Sequence, residues 1–196
     1  MGHRFDPAKF AKLEDPDRLG WQHPDAVVDL LGLTGVETVV DYGAGTGVYT
    51  LPIAAALPRG RVIAVDLSRE LLDILESKLT PELAARVLVV ATKANDVPLP
   101  DGAADVVLAV NVWHELCDET EALAEMRRLL APDGRLVIVD WAPMERPVGP
   151  RADHVLSLEQ TEAVVASMGL HVRRTRAPGP PLPYHYAVVA GAVAAL

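Results

Sequence analysis

Cysteine occurs once in the 196 residues, at Cys117, so no disulfide can form within the chain, and small disulfide-stapled secreted folds are excluded. Cys117 directly follows WHEL, has no thiol-activating neighbour in sequence, and reads as a packing residue. No stretch reaches the ~18 consecutive apolar residues needed to span a bilayer. The opening MGHRFDPAKFAK also lacks the apolar run of a signal peptide, so a cytoplasmic protein with no membrane partner is expected. Met1-Gly2 begins a myristoylation pattern, but Asp6 stands where Ser or Thr would be required. Basic residues are in short supply as well: 18 Lys and Arg against 27 Asp and Glu give a net charge of −9, which works against a nucleic-acid partner. The excess of Arg over Lys, with abundant Ala, Val and Pro, points to a high-GC bacterial source.

The residues present are half hydrophobic, and the length suits one well-packed domain. The most informative segment is VVDYGAGTGVYT, Val39 to Thr50. An apolar β-branched run feeds Asp41, three alternate glycines follow (Gly43, Gly45, Gly47), and VYTLPIAAAL continues as an apolar helix. A strand, tight turn and helix of this kind lets a nucleotide-like ligand approach the backbone closely. A dinucleotide fingerprint would need glycine at position 48, where Val48 stands. A P-loop would need Lys and Ser or Thr after its last glycine, and Gly47 is followed by Val48 and Tyr49.

Helical spacing of Ala26, Val27, Leu30 and Leu31 marks a packing helix from Pro24, closed by Gly32 and Gly35. Strands near 37–41, 61–66, 86–91, 104–112, 134–141, 170–176 and 184–190 alternate with helices near 47–57, 69–79, 118–130 and 157–168. Such alternation predicts an α/β fold with a mostly parallel sheet covered on both faces, and the near-continuous apolar runs ADVVLAV and RLVIV suit central strands. Two proline-rich stretches read as loops. MERPVGPR is expected at the carboxyl end of the sheet, where ligands of open α/β sheets bind, and RAPGPPLP at the opposite edge, as a connector.

The acid and glycines of Asp41, Gly43, Gly45 and Gly47 resemble the first motif of the class I S-adenosylmethionine-dependent methyltransferases. The resemblance continues through RVIAVDLS, PLPDGAADVVLAVNVWHEL and LAPDGRLVIVDW, so that it covers nearly the whole chain. It implies a Rossmann-like seven-stranded sheet in the order 3-2-1-4-5-7-6 with the last strand antiparallel, S-adenosyl-L-methionine as cofactor and S-adenosyl-L-homocysteine as product. It also implies site residues: Asp66, with the adjoining Leu67, as the ribose ligand, Asp41 at the methionine end, and Asn111 of NVWHEL along the methionine portion. The family's adenine-binding acid is replaced by Lys93, which cannot accept a hydrogen bond, so adenine recognition is expected from the backbone of Ala94 and from Asn95 or Asp96.

Methyl transfer depends on alignment, with proton removal added only for some acceptors. His114 and Asp140 are the candidate catalytic residues, with His154, Tyr184 and His185 also within reach by motif position. His114 reads either as a base on the substrate side or as a tie between the strand end and the next helix. Glu115, Asp118, Glu119 and Glu121 read as acids at a helix start. No metal-ligand spacing accompanies Asp140, so no metal is expected. Residues 1–23 mix aromatic and charged side chains, and Phe5, Phe10, Arg18 and Trp21 could close over the cofactor as a lid on a single domain of residues 24–196; a surface arm is the alternative. A small-molecule methyl acceptor is the leading expectation. A non-catalytic cofactor-binding or interaction protein retaining the fold, and an oxidoreductase on a Rossmann-type sheet, stand as the other readings.

Overall fold

A computed structural model describes residues 10–192 apart from Lys12, Ala94, Asn95 and Cys117. Seven strands form one sheet: β1 (Thr38–Tyr42), β2 (Arg61–Asp66), β3 (Val87–Ala91), β4 (Ala104–Val110), β5 (Leu130–Trp141), β6 (His171–Arg176) and β7 (His185–Gly191), in the order β3-β2-β1-β4-β5-β7-β6. All pairings are parallel except those of β7, which runs antiparallel to both β5 and β6. Order and direction are those the resemblance implied.

The helices are α1 (Pro24–Leu31), α2 (Thr50–Ala56), α3 (Arg69–Ser77), the short α4 (Pro81–Ala84), α5 (Glu119–Leu129) and α6 (Leu158–Ser167). Local chemistry fixes their ends. Pro24 opens α1, and Gly32 closes it in the left-handed region. Ser68 caps α3 by accepting from the Leu71 N–H, Asp118 caps α5 by accepting from the Thr120 and Glu121 N–H groups, and Ser157 and Gln160 form a reciprocal capping box on α6.

Strand alternation divides the core between the two faces of the sheet. Val39, Ala64, Leu108 and Val139 pack against Val27 and Leu31 of α1, Ile53 of α2, and Leu72 and Leu75 of α3. Val40, Ile63, Val107, Ile138 and Val188 pack against Leu123, Met126 and Leu129 of α5 and Val165 of α6. Each fully buried Leu or Ile contributes about 1.5–3 kcal/mol, so both faces hold the carboxyl edge of the sheet rigidly in place.

Two features depart from the sequence reading. β5 begins at Leu130, four residues early, because Leu130 pairs with Ala104 ahead of a register shift, after which Arg135 pairs with Val106. The RAPGPPLP stretch ends at the carboxyl edge of the parallel strands, beside the candidate site. Antiparallel β7 starts there, with His185 opposite Trp141 and the Ala142 N–H donating to the Tyr184 carbonyl at 2.9 Å. No described helix is long and apolar enough to cross a membrane.

Candidate functional site

The turn after β1 is built so that side chains are excluded from it. Gly43, Gly45 and Gly47 all have positive φ (81°, 54° and 86°), a region that penalises any residue with a Cβ. Added bulk would also collide, because a Cβ at Gly43 overlaps the Val112 side chain and one at Gly47 overlaps Leu75. Gly45 differs in having only the Leu13 Cδ1 nearby, at 3.5 Å from such a Cβ.

Asp66 ties the end of β2 to this turn. Its Oδ2 accepts from the Gly45 N–H at 2.8 Å and its Oδ1 from the Ser68 N–H at 2.8 Å, while the Gly43 and Ala44 N–H groups donate to the Val65 carbonyl. Asp41 lies beneath the turn, 2 % exposed, and accepts from the Thr50 hydroxyl at 2.6 Å. Burial pushes its carboxyl up to about 6; the Thr50 bond opposes this and the charge of Asp66 adds to it.

Above the turn is a cavity of about 900 Å³, lined among others by Gly43 to Thr46, Asp66 to Leu71, Thr92, Asn111, Glu115, and Leu13 and Arg18 of the N-terminal segment. Its size is in the range of small-molecule and cofactor sites. Asp66, Leu67, Asn111, Gly43 and Gly45 thus meet at one cavity, with Gly47 and Asp41 supporting its floor. Asn111 is the one described non-glycine residue at positive φ (56°), a conformation that Asn tolerates, and strain of this kind collects at functional sites. Lys93 and Asp96 form an isolated antiparallel bridge beside Thr92, the Asp96 N–H donating to the Lys93 carbonyl at 3.2 Å. Ala94 and Asn95, the expected adenine contacts, lie outside the described residues, as do Phe5 and Cys117.

The N-terminal segment closes one side of the cavity through polar bonds. The buried Arg18 donates to the Tyr49 hydroxyl and to the Gln22 Oε1, each at 3.0 Å. Gln22 and Asn111 exchange side-chain hydrogen bonds of 2.7 and 3.3 Å. Glu14 bonds Thr46 of the glycine turn and pairs with Lys78 at 2.7 Å. Among the described residues no carboxylate lies within ion-pairing distance of Arg18, and its Nε is buried without a partner. The sequence marks Arg18 for a lid but gives no signal for Glu14 or Gln22, because this segment has no periodic stripe to mark an inward face, nor for their distant partner Tyr49 at the start of α2.

His114 and Asp140 do come together, though neither lines the cavity. The His114 ring Nδ1 is 2.8 Å from Asp140 Oδ1, the His114 backbone N–H donates to Oδ2 at 3.1 Å, and the Trp141 N–H donates to Oδ1 at 2.6 Å. Burial lowers the affinity of the imidazole for its proton, but the charge and hydrogen bond of Asp140, with Glu115 adding, outweigh it, so the His114 pKa is raised. Glu115, read as a helix-start acid, sits in the turn before α5 and lines the cavity, its Oε1 3.8 Å from the His114 Nε2. Tyr184 and His154 stand outside the cavity lining, and His185 is fully buried on β7. No group of three or more His, Cys, Asp or Glu among the described residues is arranged to hold a metal ion.

Comparison with known proteins gives three further findings. Residues 40–138 match the family described as "Methyltransferase domain". The crystal structure of a SAM dependent methyltransferase from Aquifex aeolicus superposes with a TM-score of 0.88 at 31 % identity, covering 95 % of this chain and 98 % of that one. The ubiquinone/menaquinone biosynthesis C-methyltransferase UbiE of Syntrophotalea carbinolica is 32 % identical over 123 residues (63 % of this chain, 52 % of the relative), and an uncharacterized methyltransferase of Mycobacterium bovis is 34 % identical over 128 residues (65 % and 49 %). The chain therefore spans about half the length of the curated relatives it matches.

Proposed function

The chain belongs to the class I S-adenosylmethionine-dependent methyltransferases, and from that premise we propose that it transfers a methyl group to a small-molecule acceptor. The observation that carries this reading is the bond between Asp66 and the Gly45 amide, which joins the end of β2 and the glycine turn into one rigid wall of a cavity of about 900 Å³. The residues fit the cofactor: the turn admits close approach of a ligand, the fixed Asp66 carboxylate suits a ribose, and a buried guanidinium with no carboxylate within ion-pairing distance among the described residues faces the same space.

S-adenosylmethionine, when bound, supplies a sulfonium methyl whose S–C bond breaks as the acceptor's electron pair forms the new bond, leaving a neutral thioether. In this reading Asp66 accepts the ribose hydroxyls. Arg18 receives the methionine carboxylate as a charge-assisted pair. Asp41 sets the potential at the methionine end from beneath the turn, and Asn111 lines that portion. Leu67 covers part of the adenosine. The described part of the segment 1–23 acts as the lid that keeps water from the transfer, over a single domain of residues 24–196.

His114 and Asp140 serve as positioning residues. The His114 ring is tied to Asp140, and a carboxylate receiving three donors is committed to holding the turn after β4 in place. Where the acceptor loses a proton, Glu115 is the carboxylate on the cavity wall suited to take it. The net charge of −9 and the size of the cavity, about 900 Å³, favour a small acceptor over nucleic acid. Carbon methylation, the chemistry named for the UbiE relative, is one acceptor class to test. The competing reading, a cofactor-binding protein without turnover, rests on Lys93 and differs in one observable: product.

Calorimetric titration with S-adenosylmethionine and S-adenosylhomocysteine tests the site. Micromolar binding that is lost in Asp66→Ala supports it, and a folded wild-type protein that binds neither ligand rejects it. Methyl transfer from labelled cofactor to an acceptor panel then separates enzyme from binding protein.

A further inference from the structure

Three aromatic rings meet at the carboxyl edge of the sheet. Trp141 and His185 are cross-strand partners at the β5–β7 junction, so their side chains leave the same face, with ring centroids 4.1 Å apart. Trp21, from the N-terminal segment, lies parallel to the imidazole within 5° at 5.8 Å and stands 5.1 Å from Trp141. The outer side of Trp141 is closed by the loop after β5: Arg146 sits 5.1 Å above its ring, Gly149 is laid against it, and Arg146 fastens the loop by donating to the Met144 carbonyl at 2.9 Å.

His185 is fully buried, yet among the described residues neither its Nδ1 nor its Nε2 has a hydrogen-bond partner. A neutral imidazole carries one N–H donor and one bare acceptor nitrogen, and both normally find partners when buried. Burial pushes this imidazole down to about 3; the nearby Asp140 opposes that, while Arg18, Arg146 and His114 reinforce it. The ring is therefore a neutral hydrogen-bonding group in an aromatic slot. Of the rings around it, only Trp21 lies off the sheet, on a segment held by the polar bonds of Arg18 and Gln22.

We propose that the His185–Trp141 floor is the acceptor subsite, that Trp21 holds the place of a planar aromatic acceptor in the unliganded protein, and that His185 accepts a hydrogen bond from a hydroxyl on that acceptor. The inference rests on the methyl-transfer reading for calling the ligand an acceptor. Two contacts join the slot to the cofactor cavity. Gln22, next to Trp21, bonds Asn111 of the cavity wall, and Arg18 on that wall lies 5.8 Å from the Trp21 ring. Displacing Trp21 loosens Gln22, so acceptor binding is felt at the cofactor site.

The test titrates the full chain, with and without S-adenosylhomocysteine, with 1-naphthol and with 1-methoxynaphthalene, which keeps the ring and loses the hydroxyl hydrogen. Wild type should favour 1-naphthol by about 5–10-fold, the worth of one hydrogen bond. His185→Phe should bind the two probes within about 2-fold, and His185→Gln, which keeps an acceptor, should restore the preference. Trp21→Ala should bind 1-naphthol severalfold more tightly, since the resident ring is gone. The proposal is overturned if 1-naphthol binds neither wild type nor Trp21→Ala, or if the preference survives in His185→Phe. Should His185→Phe fail to fold, an unchanged or weakened 1-naphthol affinity in Trp21→Ala overturns it equally. S-adenosylhomocysteine binding with 1-naphthol silent rejects the slot alone. The expected probe pattern without S-adenosylhomocysteine binding supports the ring site and rejects the methyl-transfer reading.

Discussion

Arg18 donates to the Tyr49 hydroxyl at 3.0 Å across 31 positions of sequence, fastening the N-terminal segment to the start of α2 at the rim of the glycine turn. Its guanidinium lies 5.4 Å from the Tyr49 ring, and the residue is 7 % exposed, with only neutral hydrogen-bond partners among the described residues. A buried cation whose direct hydrogen-bond partners are neutral, with the charge of Glu14 acting on it only from beyond ion-pairing distance, is held at an electrostatic cost, and an anionic ligand group relieves it.

Arg18→Met should therefore weaken S-adenosylhomocysteine binding by about 10–100-fold, the range of a charge-assisted pair. 5′-Methylthioadenosine, which lacks the carboxylate, should bind wild type and variant alike. Calorimetry with both ligands decides the matter. An equal loss for the two would mean that Arg18 only anchors the segment, and that the carboxylate is held elsewhere.

The three glycines of the turn should not be equivalent. Gly43→Ala and Gly47→Ala combine a positive φ with collision against Val112 and Leu75, and should cost about 2–5 kcal/mol. Gly45→Ala meets only Leu13 and should cost about 1–2 kcal/mol, from backbone strain alone. Urea unfolding of the three variants measures the order. A Gly45 variant as unstable as the other two would show that the turn does not have this shape.

The glycine turn, Asp41 and Asp66 could be read from the sequence because each depends on a short contiguous pattern, an apolar strand followed by an acid or by glycines, whereas the sheet order followed only from the family resemblance that those patterns carry. What escaped depends on contacts distant in sequence. Gln22 finds Asn111 across 89 positions, and His185 faces Trp141 only because β7 runs antiparallel to β5. The same reversal brings the RAPGPPLP stretch to the site edge. Glu115 was grouped with the acids before α5, yet Asp118 alone supplies the α5 cap, which leaves Glu115 in a separate turn on the cavity wall.

Asp41 should be a stability liability at neutral pH. Its folded pKa of about 6 lies above the ordinary 3.8, so the folded chain holds this proton more tightly than the unfolded one. Stability from this group therefore falls as pH rises from about 4 through 6. Asp41→Asn should be more stable than wild type at pH 8, by up to about 3 kcal/mol, with the difference closing towards pH 4. The same variant should bind cationic S-adenosylmethionine less tightly. Chemical denaturation at the two pH values checks the first point; a variant less stable than wild type at pH 8 would place the ionised carboxylate among the stabilising groups.

The pairing of His114 with Asp140 works in the opposite direction. With the imidazole pKa raised above 6.5, the folded state favours the charged ring, so the stabilisation is complete below pH 6.5 and is lost as pH rises through the folded pKa. Asp140→Asn removes the negative partner and leaves burial unopposed except by Glu115, so the His114 ring should titrate below 6.5 in the variant. Breaking a buried pair of this kind costs about 3–5 kcal/mol while the ring is charged. The gap between wild type and variant should then be wider at pH 6 than at pH 9, because the wild-type ring loses its stabilisation as pH rises through its raised pKa, while the hydrogen bonds to the His114 and Trp141 amides differ at both. NMR titration of the imidazole gives the two pKa values, and unfolding at both pH values gives the gap. A gap that stays constant with pH would mean that Asp140 acts through those two backbone amides alone, and that the charge on His114 contributes nothing to holding the turn after β4.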